Sequence, residues 1–464
     1  MILGYCRILR KSSNRLRRIY ISACLRYSSS NNFEELSDSE YNKLTDSYFH
    51  IKEAHRCLII QPYVKWGPKK LNITPEEQLS EAIALIQTLP SWTVEDTLTV
   101  PLDTLDRKAL FKSGSMERIK QVVIQRPEIS AIFINSSSLK KATTVILQEN
   151  FKRAIMDRYK IVMKILKTHA ISKHAKLQVS LAELAYLKKK SEQDLIFKTY
   201  SSEALKLMFQ NREQKIKSEI ENLRSHRNLL RNKRKKIDYP VVAVVGYTNA
   251  GKTSLIKALT NEASLQPKDQ LFATLDVTVH KGILPSGLDV LYIDTVGFIS
   301  DIPTNLIECF VATLEDALLA DVILHVEDLS SISFDYKRQH VLNVLKSLGK
   351  DENSDDLSSK IFAVGNKCDL LKLDTEKRET DVNVSAQKGI GLNELMTQLE
   401  KFILKSTQRQ KITLKIPNGG EEIRWLYKNA TILEEIPDEN DYQYIMAKVI
   451  ITQVNLNKFK HYFI

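Results

Sequence analysis

Gly246-Tyr247-Thr248-Asn249-Ala250-Gly251-Lys252-Thr253 follows the apolar run Val241 to Val245 and precedes the helix-like stretch Ser254 to Thr260. A strand, a glycine-bracketed loop and a helix in that order form a phosphate cradle. The glycines let backbone N–H groups turn inward, and the helix N-terminus adds positive potential. Lys252 is placed for the outer phosphates and the Thr253 hydroxyl for a magnesium ion. Downstream, the short β-branched runs Val290 to Ile293, Val322 to Val326 and Ile361 to Val364 alternate with helical stretches. That alternation predicts a mostly parallel sheet over 240–405.

A phosphate cradle alone does not choose a base. Asn366-Lys367-Cys368-Asp369 directly follows the strand Ile361 to Val364, at the carboxyl edge where such sheets bind ligands. An Asp369 carboxylate can accept two hydrogen bonds from the ring and exocyclic nitrogens of guanine; adenine offers no such donor pair. Ser385 and Ala386, after the short strand Val382 to Val384, complete the base pocket if their backbone faces the guanine oxygen. GTP is the expected ligand.

Asp294-Thr295-Val296-Gly297 ends the strand Val290 to Ile293. There Asp294 can hold the magnesium shell and Gly297 can sense the terminal phosphate. Thr274 lies between these two motifs, where a mobile loop would bring a second hydroxyl to magnesium; a plain surface threonine is the other reading. Thr253, Thr274 and Asp294 are the expected metal ligands, and Lys252, Thr274 and Gly297 the groups expected to act on the terminal phosphate. Ser254, Phe272 and Ala273 complete the nucleotide-binding set. Phe298 stands where Ras-like enzymes place a water-positioning glutamine, and a phenyl ring cannot orient water by hydrogen bonding. Slow intrinsic hydrolysis, raised by a partner that orders the loops, is therefore expected. Asn249 has two readings, a loop-stabilising side chain or a ligand for potassium that replaces the charge of an arginine finger.

Outward from this region the 464-residue chain has room for about three domains. Cys57 to Ile60 reads as a buried strand. Thr74, Pro75 and Glu77 carry the signals of a helix start with a capping box. Further strand and helix patterns through Ile129 to Ile134 predict an α/β domain over 49–165. Leu177, Leu181, Leu184 and Leu187, then Ile216, Ile220 and Leu223, predict an antiparallel helical hairpin over 171–236. It ends in the basic run Arg231 to Lys236, readable as a nucleic-acid contact or as a solvated helix end. Strand, helix and two strands over 411–464 predict a small α+β domain.

The first 33 residues carry seven arginines and lysines, several serines and no acidic residue, which is the composition of a mitochondrial presequence. Arg26-Tyr27-Ser28-Ser29 suits cleavage, and the expected location is the mitochondrial matrix. The other reading is a basic arm touching RNA or membrane. The formal charge of +12 would fall to +5 without that segment, a weak pointer to a polyanionic partner. No apolar run approaches the roughly 20 residues of a membrane span, so no membrane insertion is expected. The five cysteines show no zinc or disulfide spacing.

These residues resemble the HflX-type GTPases. The resemblance rests on Gly246 to Lys252, on Phe272-Ala273-Thr274-Leu275-Asp276, on Asp294-Thr295-Val296-Gly297-Phe298-Ile299, on Val384 to Gln387 and on Ala175 to Val179. It implies an N-terminal α/β domain, a helical linker, a GTPase domain and a small C-terminal domain. It also implies docking on the large ribosomal subunit near its peptidyl-transferase region. The expected function is a GTP-hydrolysing switch, acting as a monomer, in subunit separation or large-subunit assembly on the mitochondrial ribosome. The alternative is a non-hydrolysing GTP-binding scaffold on mitochondrial rRNA or ribosome precursors. Where the family carries a glycine-rich linker tip, this chain reads Lys188 to Gln193, and no glycine occurs between Gly114 and Gly246.

Overall fold

Parallel strands buried on both faces need apolar residues at successive positions. Two segments of this chain supply them and build two separate sheets. The computed structural model describes residues 41, 45, 54–65, 73–103, 110–191, 202–237, 239–268, 270–300, 317–348, 354–371, 378–438 and 441–463. The proposed presequence, residues 192 and 193 of the hairpin tip and the side chains of the basic run 231–236 lie outside what is described.

The N-terminal sheet contains β1 (His55–Val64), β2 (Trp92–Leu102), β3 (Ala131–Ile134) and β4 (Ala154–Asp157) in the order β2-β1-β3-β4, all parallel. Cys57 and Ile59 of β1 face one apolar cluster, while Leu58 and Ile60 face another. Helices α1 (Pro75–Thr88) and α4 (Arg158–His169) cover the first face; α2 (Ser113–Gln125) and α3 (Lys141–Phe151) cover the second. The capping box of α1 is present: the Glu77 N–H donates to Thr74 Oγ1 at 3.3 Å, and the Thr74 N–H donates to Glu77 Oε2 at 3.2 Å. This fixes the α1 register and therefore where Glu77, Gln78 and Glu81 point.

The hairpin follows as α5 (Lys173–Ser191) and α6 (Ser202–Ile237). Its antiparallel sense is visible in the ion pairs Lys173–Glu219 and Lys188–Glu213. Six strands then form the second sheet: β5 (Val241–Gly246), β6 (Thr278–Ile283), β7 (Asp289–Asp294), β8 (Val322–Asp328), β9 (Ile361–Asn366) and β10 (Val382–Asn383). Their order is β10-β9-β8-β5-β7-β6, parallel except for β6. This region also carries α7 (Lys252–Thr260), α8 (Phe334–Leu348), α9 (Ser354–Ser359) and α10 (Leu392–Ser406). The last unit pairs β11 (Arg409–Pro417), β12 (Thr431–Pro437) and β13 (Tyr444–Thr452) as an antiparallel sheet. Its own apolar cluster includes Leu426 of α11 (Glu421–Asn429) and Phe459 of α12 (Gln453–Phe463).

One apolar cluster does not respect these boundaries. It runs from Ile59 and Leu85, through Val179 and Phe209 of the hairpin, to Val245, Phe272, Leu275, Val296 and Phe298 around the phosphate loop. Among the described residues, no helix is long and apolar enough to cross a membrane.

Candidate nucleotide-binding site

β5 is buried on both sides and delivers Gly246 to the edge of the sheet, where the chain turns into α7. The turn places Asn249 (φ 61°) and Gly251 (φ 90°) in the left-handed region. At 251 only glycine fits, because a Cβ would lie 2.2 Å from Asn366 Nδ2. Lys252 is buried, and its ammonium donates to Tyr247 O at 3.0 Å and Gly246 O at 3.3 Å. Burial lowers Lys252 to about 8, with Asp294 opposing that fall.

Three oxygens sit beside the lysine. Thr253 Oγ1 donates to Asp294 Oδ2 at 2.6 Å, Thr274 Oγ1 does so at 3.1 Å, and the two hydroxyls are 3.1 Å apart. Asp294 is 1% exposed, and its Oδ1 has no hydrogen-bond partner. Burial pushes the Asp294 carboxyl up, against the pull of Thr253 and Lys252. A buried carboxylate oxygen left unsatisfied beside two hydroxyls is a donor set for a small hard cation, so these residues fit magnesium. A cavity of about 50 Å³ opens over them, lined by residues of the phosphate loop, by Phe272, Ala273 and Thr274, and by Gly297.

The base end is joined to the phosphate end by one side chain. Asn366 Nδ2 donates to Ala250 O at 2.9 Å, and Asn366 Oδ1 accepts the Ala386 N–H at 3.0 Å. Lys367 (φ 64°) pairs with Asp328 at 2.8 Å. Asp369 is exposed at the mouth of the sheet. Ser385 is buried, and its Oγ accepts the Lys388 N–H at 3.1 Å, which closes the loop after β10. The Ala386 N–H, expected to face the guanine oxygen, is directed at Asn366 in this arrangement.

Other residues had no signal in the sequence. Phe272 O accepts from His169 Nδ1 at 2.8 Å, the Leu271 N–H donates to Thr88 Oγ1 at 3.3 Å, and Ser172 hydrogen-bonds Asp276. The loop carrying Thr274 is thus bonded to α1 and to the α4–α5 junction. Glu81 and Arg158 reach Tyr247 and Ser300. Burial first, and then the Glu81 charge, raise the Tyr247 phenol well above its usual value, so it remains a donor. His280 pairs with Glu262 at 2.6 Å and His325 with Glu327 at 3.0 Å, contacts of packing rather than of the site.

A family model described as 50S ribosome-binding GTPase matches residues 241–367, and one described as GTP-binding GTPase N-terminal matches 76–166. GTP-binding protein 6 of Homo sapiens is 38% identical over 426 residues, covering 88% of this chain and 81% of that protein. GTPase HflX of Caldanaerobacter subterraneus subsp. tengcongensis is 34% identical over 378 residues, covering 78% of this chain and 86% of that protein.

The chain belongs to the HflX family of GTPases.

A solved GDP complex of a GTP-binding protein from Sulfolobus solfataricus is 24% identical, covers 75% of this chain and 99% of that one, and has a TM-score of 0.39. As an HflX GTPase, the chain converts GTP to GDP and phosphate. That chemistry asks a protein chiefly to position the phosphates and stabilise charge. Lys252 lines the cavity, and an ammonium there suits the charge on the outer phosphates. Gly297 brings a backbone segment without a side chain to the same place, since a Cβ there would meet Thr248 Cγ2 at 2.8 Å and Lys252 Nζ at 3.0 Å. Phe298 is buried with its backbone bridged to Tyr247, so no side chain at 298 orients the attacking water.

Proposed function

We propose that this HflX GTPase is a nucleotide-dependent switch on the large subunit of the mitochondrial ribosome, working as a monomer in subunit separation or large-subunit assembly. The bonding of the Thr274 loop to the N-terminal half is the observation that carries the switch reading. His169 holds Phe272 O at 2.8 Å, and Ser172 holds Asp276, so a loop that moves with nucleotide must move against α4 and α5. Support for a ribosomal partner is the match to a family described as 50S ribosome-binding GTPases. Support for the mitochondrial matrix is the arginine-rich, acid-free composition of residues 1–33.

Magnesium is assigned to Thr253, Thr274 and Asp294, where it would offset charge on the β- and γ-phosphates. Potassium beside Asn249 is a further assignment, carried by the left-handed turn that brings this residue to the phosphate cavity. Phe298 implies slow turnover by the chain alone and acceleration when a partner orders the loops.

The deciding experiment follows GTP turnover with and without purified mitochondrial ribosomes, with subunits separated by sedimentation. Turnover should rise with ribosomes, and the GTP-bound protein should sediment with the large subunit. Unchanged turnover without nucleotide-dependent association would sink the ribosomal reading. Equal rates in sodium and potassium would remove the potassium site.

A further inference from the structure

A buried polar knot joins the phosphate loop and the segment after Asp294 to the N-terminal domain. Tyr247 Oη donates to Glu81 Oε2 at 2.6 Å and accepts the Ser300 N–H at 2.8 Å. Ser300 Oγ lies 2.9 Å from the same phenol oxygen. Arg158 pairs with Glu81 and donates from Nη2 to Ser300 O at 3.0 Å. Tyr247, Arg158 and Ser300 are all buried. Arg158 is itself held by Asn135 Oδ1 at 2.9 Å, Asn135 by Gln61 Oε1 at 2.6 Å, and Gln61 donates to Gln78 Oε1 at 2.7 Å. The knot therefore stands on a braced surface of the N-terminal sheet and α1.

Its effect falls on a short arch of chain. Residues 295–300 are pinned at one end by Thr295 Oγ1, which donates to Val244 O at 2.7 Å, and at the other by Ser300 in the knot. Between the pins, the Phe298 N–H donates to Gly246 O at 3.1 Å and the Thr248 N–H donates to Phe298 O at 2.6 Å. Gly297 lies in the middle of this arch, against Thr248 and Lys252. Hydrolysis depends on where the Gly297 backbone stands relative to the terminal phosphate. An arch this short has little freedom while both pins hold, and a displacement of about 1 Å at such a place can cost about a hundredfold in rate.

We propose that Glu81 is a positioning residue for GTP hydrolysis: from the N-terminal domain it fixes Tyr247 and Ser300, and so holds the arch carrying Gly297 over the phosphate loop. The N-terminal domain thereby completes the GTPase site instead of only reporting its state. Glu81 does not line the cavity over Lys252 and Thr274, and it acts through Tyr247 and Ser300. This goes beyond the ribosomal reading, because it concerns hydrolysis by the chain alone and holds whatever the partner is.

The test is single-turnover GTP hydrolysis by the full chain with magnesium and without ribosomes, beside GDP affinity and the melting temperature. Glu81→Gln keeps the shape and removes the charge; Tyr247→Phe removes the phenol oxygen. Each should slow hydrolysis about tenfold, and the double variant should be no slower than the worse single one, because both break one pin. GDP affinity should stay within about twofold for Glu81→Gln, whose side chain lies outside the phosphate loop, which a general loosening of the fold would not allow. Rates within about twofold of the unaltered chain, a rise in rate, losses that multiply, or a parallel loss of GDP affinity in Glu81→Gln would each overturn the proposal. Should Glu81→Gln fail to fold, Glu81→Asp, which shortens the reach to Tyr247 by one methylene, is read against the same outcomes.

Discussion

Asn366 donates to Ala250 O at 2.9 Å while it accepts from the Ala386 N–H at 3.0 Å, so one buried amide staples the phosphate end of the site to the base end. Replacing it by alanine leaves the buried Ala250 carbonyl unpaired, at a cost of about 1–3 kcal/mol, and frees the half-buried Ala386 N–H. Asn366→Ala should therefore lower both nucleotide affinity and the melting temperature, with affinity falling at least about tenfold. Fluorescent GDP titration beside thermal melting checks this; intact affinity would show that the staple does not hold the loop.

In the proposed base pocket the exposed Asp369 carboxylate would accept two guanine donors, whereas an amide there offers one acceptor and one donor. Asp369→Asn should weaken GTP by about 10²-fold or more and favour xanthosine triphosphate, whose ring presents a carbonyl where guanine presents an amine. Competition between the two triphosphates reads the outcome directly. Unchanged preference for GTP would mean that another group reads the base.

A Cβ on Gly297 would sit 2.8 Å from Thr248 Cγ2 and 2.9 Å from Thr248 Cα. The Cα of Thr248 cannot yield as a side-chain tip does, so Gly297→Ala must push the arch away from the phosphate loop. Hydrolysis should fall by about 10²-fold while GDP binding, which needs no terminal-phosphate contact, changes little. Single-turnover rates and GDP titration separate the two effects.

Ser172 has two duties. Its Oγ accepts the Ala175 N–H at 3.0 Å, capping α5, and it bonds Asp276. Ser172→Ala should cost about 1 kcal/mol through the lost cap. It should also speed amide exchange across 271–277, which a lost cap alone would not do. Exchange confined to α5 would argue against the tether.

Burial raises the Cys57 thiol to about 12, and burial followed by Asp369 raises Cys368. A raised thiol stays protonated and unreactive until the pH approaches its new value. Cys57 should escape alkylation in the native chain at pH 8 and react once the chain is unfolded. The partly exposed Cys368 should react slowly, faster as pH rises, and be shielded by GDP. Site-resolved mass spectrometry distinguishes the two; nucleotide-independent labelling of Cys368 would move it away from the base pocket.

Much of the candidate nucleotide site was legible because its chemistry is written in contiguous runs. Gly246 to Thr253, Asp294 to Gly297 and Asn366 to Asp369 each follow a β-branched strand, and strand order brings the three runs to one edge. The capping box at Thr74 was legible for the same reason, since both partners lie within one turn. Glu81, Arg158 and Ser172 were not. Each is one polar residue near or on a helix with ordinary spacing, and its partner lies 166, 142 or 104 positions away. Helices α3 and α4 also escaped the pattern reading. Thr143, Thr144 and Val145 open α3 with β-branched residues, which carry little helical signal by themselves. Their helicity comes from packing Leu147 and Phe151 under the sheet.

The apolar cluster that runs from Ile59 through Phe209 to Phe298 has a consequence for how this chain comes apart. A seam between lobes normally lets one melt while the other survives. Here the Thr274 loop and the arch after Asp294 are upholstered by side chains from three lobes at once, so heat should release them in one calorimetric transition. Excising the first two lobes would strand Phe272, Val296 and Phe298 in water, leaving a sticky remnant instead of a smaller enzyme.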